Sequence, residues 1–375
     1  MTVALLLGLV HAATDLATVT AMVRATGLHA ESAGAVFAWF LVYDVLAFGA
    51  QPLVGAVADR LRGGPVVLVG LGLTGCAVGL ASLGGSGDVA LGLATVAVAG
   101  VGNAVTHVGA GAVVLRGDLT RATPAGMLVA PGALGLGLGL WFGRDPGLGP
   151  TWWVVGPLAA AAVLVARLHR AGRLESPFAA TSGPGERVLP PPRHLLAVAA
   201  GGLLLVSVAI RSLVGASASH GYAGGAWLAL GIPLVACAGK ALGGMVADRA
   251  GWLPTTVLAL LACLPLLAVQ HSHPGLLLLG LLVFQTTMPV TLVAVGRLLP
   301  GRPATAFALP CVGLLVGSLP ASFAWGAPWC ARPAPAAWIA LSAAAAWAGL
   351  RLVGLRWRRA APTTRPEPVT EPVAP

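Results

Sequence analysis

Eight residues combine ionisable or amide side chains with otherwise apolar surroundings. His11 and Asp15 stand four apart, as do Asn103 and His107, so each pair shares one face of a helix. Asp44, Arg211, Lys240 and Gln285 complete the set. A carboxylate beside an imidazole can hold and trade one proton, and two cations can bind an anion. Both carboxylates fall in the first half of the sequence and both cations in the second, so the set is formally neutral when histidine is uncharged. Asp15 with His11 is the first expectation for proton coupling, and Asp44 the second. Asn103, His107, Arg211, Lys240 and Gln285 are the expected substrate contacts. Arg211 and Lys240 could instead pair with Asp15 and Asp44 in an empty site. Asn103 and Gln285 are equally suited to bonding helix to helix.

The surroundings explain why such groups matter. The 375-residue chain is 57% hydrophobic and 9% charged, with a mean hydropathy of +0.88. A water-soluble protein carries about 25% charged residues. Apolar runs recur throughout at about 20 residues, the length that crosses a hydrocarbon core of about 30 Å as a helix. Twelve are predicted, over 2–23, 34–57, 65–86, 88–115, 124–143, 150–167, 194–217, 225–247, 253–270, 275–297, 303–326 and 334–355. Short breaks rich in Gly, Pro and charge separate them, such as Gly84–Asp88 and His271–Pro274. Ionisable groups inside these runs are costly, which makes them functional candidates by default.

Arginine placement tests the count. With a cytoplasmic N-terminus, seventeen arginines fall on inside segments and only Arg24, Arg144 and Arg332 on outside loops. That bias predicts a multi-pass protein of the cytoplasmic (inner) membrane with both termini in the cytoplasm. The net charge of +10 is then mostly loop arginine facing anionic lipid, and no nucleic-acid partner is needed. The five cysteines lack paired or metal-type spacing and read as packing residues. Met1–Val10 lacks the basic start of a cleavable signal.

The phrase Gly-x-x-Ala-Asp-Arg occurs twice, at Gly55–Arg60 and Gly244–Arg249, each closing an apolar run. A repeat at half the chain length predicts an all-α membrane protein of twelve transmembrane helices in two pseudo-symmetric six-helix bundles. The expected division is 1–167 and 194–355 for the bundles, 168–193 for a cytoplasmic linker, and 356–375 for a disordered tail. Asp59 and Asp248 lie where a span meets the cytoplasm, so each can cap a neighbouring helix or pair with an arginine of the other half. Two copies at matched positions point to an inner gate built from Gly55, Asp59, Arg60, Gly244, Asp248 and Arg249.

On these features the chain resembles the major facilitator superfamily, whose loop motif is Gly-x-x-x-Asp-Arg-x-Gly-Arg-Arg/Lys. Gly55, Asp59 and Arg60 match it, while Arg62 and Gly63 depart from it; the second copy keeps Gly244, Asp248, Arg249 and Gly251. Three phrases are similar to the fosmidomycin-resistance-like exporters: His11-x-x-x-Asp15, Ala47-Phe48-Gly49-Ala50-Gln51-Pro52, and Gly102-Asn103-Ala104-x-x-His107-x-Gly109. Ala130-Pro131-Gly132-Ala133-Leu134-Gly135 partly matches the Gly-Pro-x-x-Gly-Gly motif of proton-coupled exporters. The resemblance implies a monomeric secondary transporter whose spans one, four, seven and ten line a central cavity, with proton-coupled export of a small organic anion or zwitterion.

Two rivals are kept. His11, Asp15 and His107 could carry a divalent metal ion as cargo, though two nearby cations would repel it. A non-transporting membrane scaffold is the other. No resident metal or cofactor is expected. An enzyme is not expected either, because nucleophile-elbow, zinc-protease and phosphate-loop motifs are missing and the loops are short.

Overall fold

The computed structural model describes residues 1–27, 33–61, 63–83, 88–148, 151–174, 191–220, 226–268, 273–323, 326–330 and 334–360. Among these, every regular element is helical. In chain order the spans are Thr2–Thr26 (span 1), Ala33–Asp44 continuing through Gln51–Ala58 (span 2), Gly63–Leu83 (3), Val89–Gly117 (4), Thr123–Gly143 (5) and Thr151–Arg170 (6). The second half follows with Pro191–His220 (7), Ala226–Ala250 (8), Trp252–Ala268 (9), Pro274–Leu298 (10), Pro303–Ser322 (11) and Ala334–Ala360 (12). Eleven of these hold stretches long and apolar enough to cross a membrane; span 9 is apolar but shorter.

Two spans expected to be continuous helices are broken, and proline explains both. Pro52 has no N–H for the Phe48 carbonyl, and the chain widens into a π-helical turn over Val45–Gly49. There the Ala50 N–H reaches back five residues to the Val45 carbonyl at 2.9 Å. The Gln51 side chain donates to the Ala47 carbonyl at 2.7 Å, taking up an acceptor that the wide turn loosens. In span 10, Pro289 leaves the Gln285 carbonyl without its helical donor, and the helix stops at Gln285 and resumes at Met288. The hydroxyls of Thr286 and Thr287 fold back onto the Val283 and Phe284 carbonyls, at 2.6 and 2.9 Å.

The expected division needs trimming at its edges. Span 6 stays helical to Arg170 and span 7 begins at Pro191, so helix intrudes on both ends of the 168–193 linker. Residues 175–190 of that linker lie outside the described residues. Span 12 continues to Ala360, so 356–360 is helix and not tail. Residues 361–375 and Arg62 also lie outside the described residues.

Small residues set the helix spacing. Span 5 lies on span 1 through Gly132 against the His11 ring, Gly135 against the Ala12 carbonyl and Gly139 against Val19. The second half repeats the seam between spans 11 and 7, with Gly313 on Val208 and Gly317 on the Ala209 carbonyl. Gly137 packs on Pro233 of span 8. The halves meet there and at Gly126, where an added Cβ would fall 2.6 Å from the Lys240 carbonyl oxygen. They meet again between spans 2 and 11, with Gly55 against the Thr305 Cα.

Candidate proton and substrate site

Span 1 carries a polar stripe in an apolar helix: His11, Thr14, Asp15 and Thr18, all buried. The hydroxyls of Thr14 and Thr18 bond back to the carbonyls of Val10 and Thr14, which hides them within the helix. Asp15 has no such internal option and is satisfied from elsewhere. Its Oδ2 lies 3.1 Å from His11 Nε2. Its Oδ1 lies 3.3 Å from His107 Nε2 and accepts from Asn103 Nδ2 at 2.7 Å. The two imidazoles stand edge to face, 4.0 Å between centroids. Spans 1 and 4 thus bring together four residues that the sequence assigned to two separate roles. His107 and Asn103 both face Asp15.

The partner of the other His11 nitrogen fixes the chemistry of the pair. Nδ1 lies 3.0 Å from the Leu128 carbonyl, an acceptor only, so Nδ1 carries a hydrogen. The Nε2 to Asp15 Oδ2 contact therefore holds one proton, on the histidine as an imidazolium or on the aspartate as an acid. Without that proton, a carboxylate would face a bare ring nitrogen. Span 5 sets the geometry, because it presents the Leu128 carbonyl to Nδ1 and Gly132 leaves room for the ring. The Ala130–Gly135 phrase, noted in the sequence as an exporter motif, is the floor under His11.

Sequence reasoning missed two members of this network. Thr18 Oγ1 accepts from Asn103 Nδ2 at 3.4 Å and lies 3.0 Å from the Tyr43 hydroxyl. Since the Thr18 hydrogen goes to the Thr14 carbonyl, the Tyr43 hydroxyl is the donor. The chain Tyr43–Thr18–Asn103–Asp15–His11 joins spans 1, 2 and 4. The four-residue spacing of the span 1 stripe was the available signal for Thr18. Asp44, the second candidate for coupling, is half-buried beside the π-helical turn, and among the described residues no hydrogen bond or ion pair joins it to the cluster.

The two cations lie in the other half and behave differently from each other. Arg211 of span 7 is 6% exposed and donates to the Ser207 carbonyl at 3.3 Å, to Thr287 Oγ1, and to Thr291 Oγ1 at 2.8 Å. All three acceptors are neutral. Among the described residues neither Arg211 nor Lys240 forms an ion pair with Asp15 or Asp44, so the pairing considered for an empty site is not made. The break in span 10 offers Arg211 its threonines, and they hold it within its own half. Lys240 of span 8 lies within electrostatic reach of Asp15 and His107 across the seam. Arg211 and Gln285 line a cavity of about 280 Å³ with mostly apolar walls.

The ends of the halves that carry the repeated phrase are tied reciprocally. Asp59, at the end of span 2, accepts from the N–H groups of Ala304 and Thr305 at 2.7 and 3.1 Å and from the Thr305 hydroxyl at 2.6 Å. Asp248, at the end of span 8, accepts from the N–H groups of Ala122 and Thr123 at 2.6 and 2.9 Å, and from the Thr123 hydroxyl. Each carboxylate caps the first turn of a helix in the opposite half, where unbonded N–H groups and the helix dipole favour a negative charge. Gly55 and Gly244 let the chains approach, since an added Cβ would lie 2.9 Å from the Thr305 Cα or 2.8 Å from the Thr123 Cα. Arg121 adds an exposed contact to Asp248 at 3.7 Å, and Arg297 donates to the Leu119 carbonyl at 2.7 Å. Among the described residues Arg249 bonds within its own helix, to the Met245 carbonyl at 3.2 Å. Arg60 follows Asp59 on the turn after span 2.

The glycine seams give a paired prediction. Gly132→Ala would drive a methyl into the pinned His11 ring, whereas Gly313→Ala meets Val208 Cγ1 at 3.1 Å and the Leu205 carbonyl oxygen at 3.2 Å. The first should lose about 1–3 kcal/mol of stability and the second less, read as melting temperature in detergent. Equal losses would mean that the His11 ring is free to move.

The two helical halves have the major facilitator fold, as the solved structures that superpose on the chain show. No protein-family model and no curated protein matches the sequence. Solved structures share the architecture over nearly the whole chain. The human organic anion transporter MFSD10 (TETRAN) superposes with a TM-score of 0.65 at 18% identity, covering 94% of this chain and 97% of that one. The E. coli fucose:proton symporter FucP (N162A) gives 0.63 at 15%, covering 95% and 98%. A bacterial homologue of the iron transporter ferroportin, in its outward-facing state, gives 0.62 at 16%, covering 96% and 99%. At these identities the likeness establishes the fold.

Proposed function

We propose that the chain is a secondary active transporter, driven by protons, that moves a small organic anion or zwitterion across the cytoplasmic membrane by alternating access. One observation carries the reading: the His11–Asp15 pair is buried in one half, while among the described residues a guanidinium without a counter-charge lies buried in the other. Groups this costly inside a bilayer mark proton and solute paths. Asp59 and Asp248 act as the inner gate, closed when both caps are made, which leaves the outer side as the open one. The human protein of the same fold is an organic anion transporter and the bacterial one a proton symporter, in keeping with both parts of the proposal. Export is the proposed direction, with both termini cytoplasmic and the working unit a monomer.

The test is flux in proteoliposomes. An imposed pH gradient should drive solute movement from a panel of labelled organic anions, and a protonophore should stop it. A chain that moves no anion, sugar or cation under any gradient is not a carrier, and the scaffold alternative then holds.

A second reading is favoured by one distance. Ligand atoms of His11, Asp15 and His107 all lie within 4.8 Å of one another, a spacing that would suit a divalent ion as cargo. Lys240 opposes it electrostatically. Manganese or cobalt uptake that needs all three side chains would favour this reading over the organic anion.

A further inference from the structure

Arg211 is a buried cation whose partners are all neutral. Among the described residues no carboxylate comes within ion-pair distance of it. An isolated charge in apolar surroundings is expensive unless something of opposite sign joins it. Three of the five N–H donors of a guanidinium are taken by Ser207, Thr287 and Thr291, which leaves two. Two N–H groups match the two oxygens of one carboxylate.

The cavity beside it defines the rest of the ligand. Its volume is about 280 Å³, and Val208, Ile232, Leu281, Phe284, Met288 and Leu314 supply apolar wall. Among the described residues Arg211 is the one charged residue lining it, and Gln285 adds an amide. At about 30 Å³ per water in the liquid, the space equals about nine waters, or a body of about ten heavy atoms. Lys240 does not line it and interacts across the seam with Asp15 instead.

We propose that this cavity recognises a monocarboxylate with a compact aromatic or branched aliphatic body, its carboxylate on Arg211 and Gln285. The assignment rests on the transporter reading above and adds the substrate class. A phosphate monoester, with about −1.5 to −2 charges, would leave one charge uncompensated against apolar walls. A neutral amide of the same shape would leave Arg211 uncompensated.

Calorimetric titration of the purified full-length protein in detergent tests this with four probes: phenylacetate, 3-methylbutanoate, phenylacetamide and phenyl phosphate. Both carboxylates should bind, with the amide and the phosphate at least about tenfold weaker. Arg211→Gln should weaken phenylacetate by about thirtyfold or more, and Arg211→Lys by less. Ala236→Phe keeps the guanidinium but fills the cavity, and it too should lose phenylacetate while its melting temperature and elution match the parent. The proposal is overturned if phenylacetamide binds as tightly as phenylacetate, or if folded Arg211→Gln and Ala236→Phe bind phenylacetate like the parent. The flux panel separates this from the parent reading. If a sugar or cation moves and no carboxylate binds, the substrate class falls and the carrier stands. If phenylacetate binds and nothing moves, the carboxylate site stands and the carrier falls.

Discussion

Asp15→Asn should abolish flux driven by a pH gradient while leaving the protein folded. Asparagine is isosteric with aspartate, and its carbonyl oxygen can still accept from Asn103 and from His107 Nε2–H. Its amide can donate to His11 Nε2, which is bare once Nδ1 carries the hydrogen for Leu128. Every contact in the cluster is then satisfied by a neutral side chain, and only the movable proton is missing. Gradient-driven flux should fall by about a hundredfold or more, the scale on which loss of a positioned proton donor acts. Solute counterflow, which needs no net proton movement, should persist. Melting temperature and elution should stay near the parent. Full gradient-driven activity in this variant would remove Asp15 from the mechanism.

The second large effect is expected from the gate. Asp59→Asn and Asp248→Asn each remove the charge that caps a helix of the other half and put an amide NH2 where an oxygen accepted, at a cost of about 1–2 kcal/mol per cap. The caps sit on different helix pairs and share no partner, so their losses should add. Together they amount to about 2–4 kcal/mol, or roughly a thirtyfold to several-hundredfold shift toward the inward-open state. Ala308, buried in the cluster that joins Ala58 and Ala112 with span 11, is a suitable reporter as Ala308→Cys. Labelling of that thiol by an impermeant maleimide from the cytoplasmic side should rise by a similar factor in the double variant. Labelling that stays at the parent level would make the two caps ornamental to the cycle.

Much of this was legible in the sequence because membranes leave few alternatives. An apolar run of about 20 residues must be helical, so the twelve spans follow from composition, and a duplicated phrase implies two halves. His11 with Asp15, and Asn103 with His107, were readable as pairs because four residues make one helical turn. Meeting of the two pairs was not readable, since nothing local encodes the packing of span 4 on span 1. Thr18 and Tyr43 escaped because hydroxyls are common in apolar helices and usually bond back to their own backbone. The broken spans 2 and 10 were foreseeable from Pro52 and Pro289, but a proline kinks one helix and stops another, and sequence does not say which.

The gate's partners carried an overlooked signal. Arg121-Ala122-Thr123 and Arg302-Pro303-Ala304-Thr305 open two spans, one in each half, and both present the Ala-Thr pair that the aspartates cap. A helix entrance repeated alongside the repeated aspartate is the sequence form of a reciprocal contact. The central site breaks the same symmetry. Where Gly132 of span 5 underlies His11 in one half, Gly313 of span 11 underlies Val208 in the other. One duplicated scaffold thus holds acid chemistry on one side and a guanidinium on the other, which a repeat alone could never announce.

The central claim is that the two halves pivot about this charged seam. Spin labels at Leu61 and Arg302, exposed residues at the inner ends of spans 2 and 11, measure it directly by pulsed dipolar spectroscopy. The distance distribution in reconstituted protein should hold a short and a long population that exchange weight when the pH gradient or solute is added. In the Asp59→Asn, Asp248→Asn double variant the long population should dominate. A single short distance under every condition, in protein that is actively moving solute, would contradict the account.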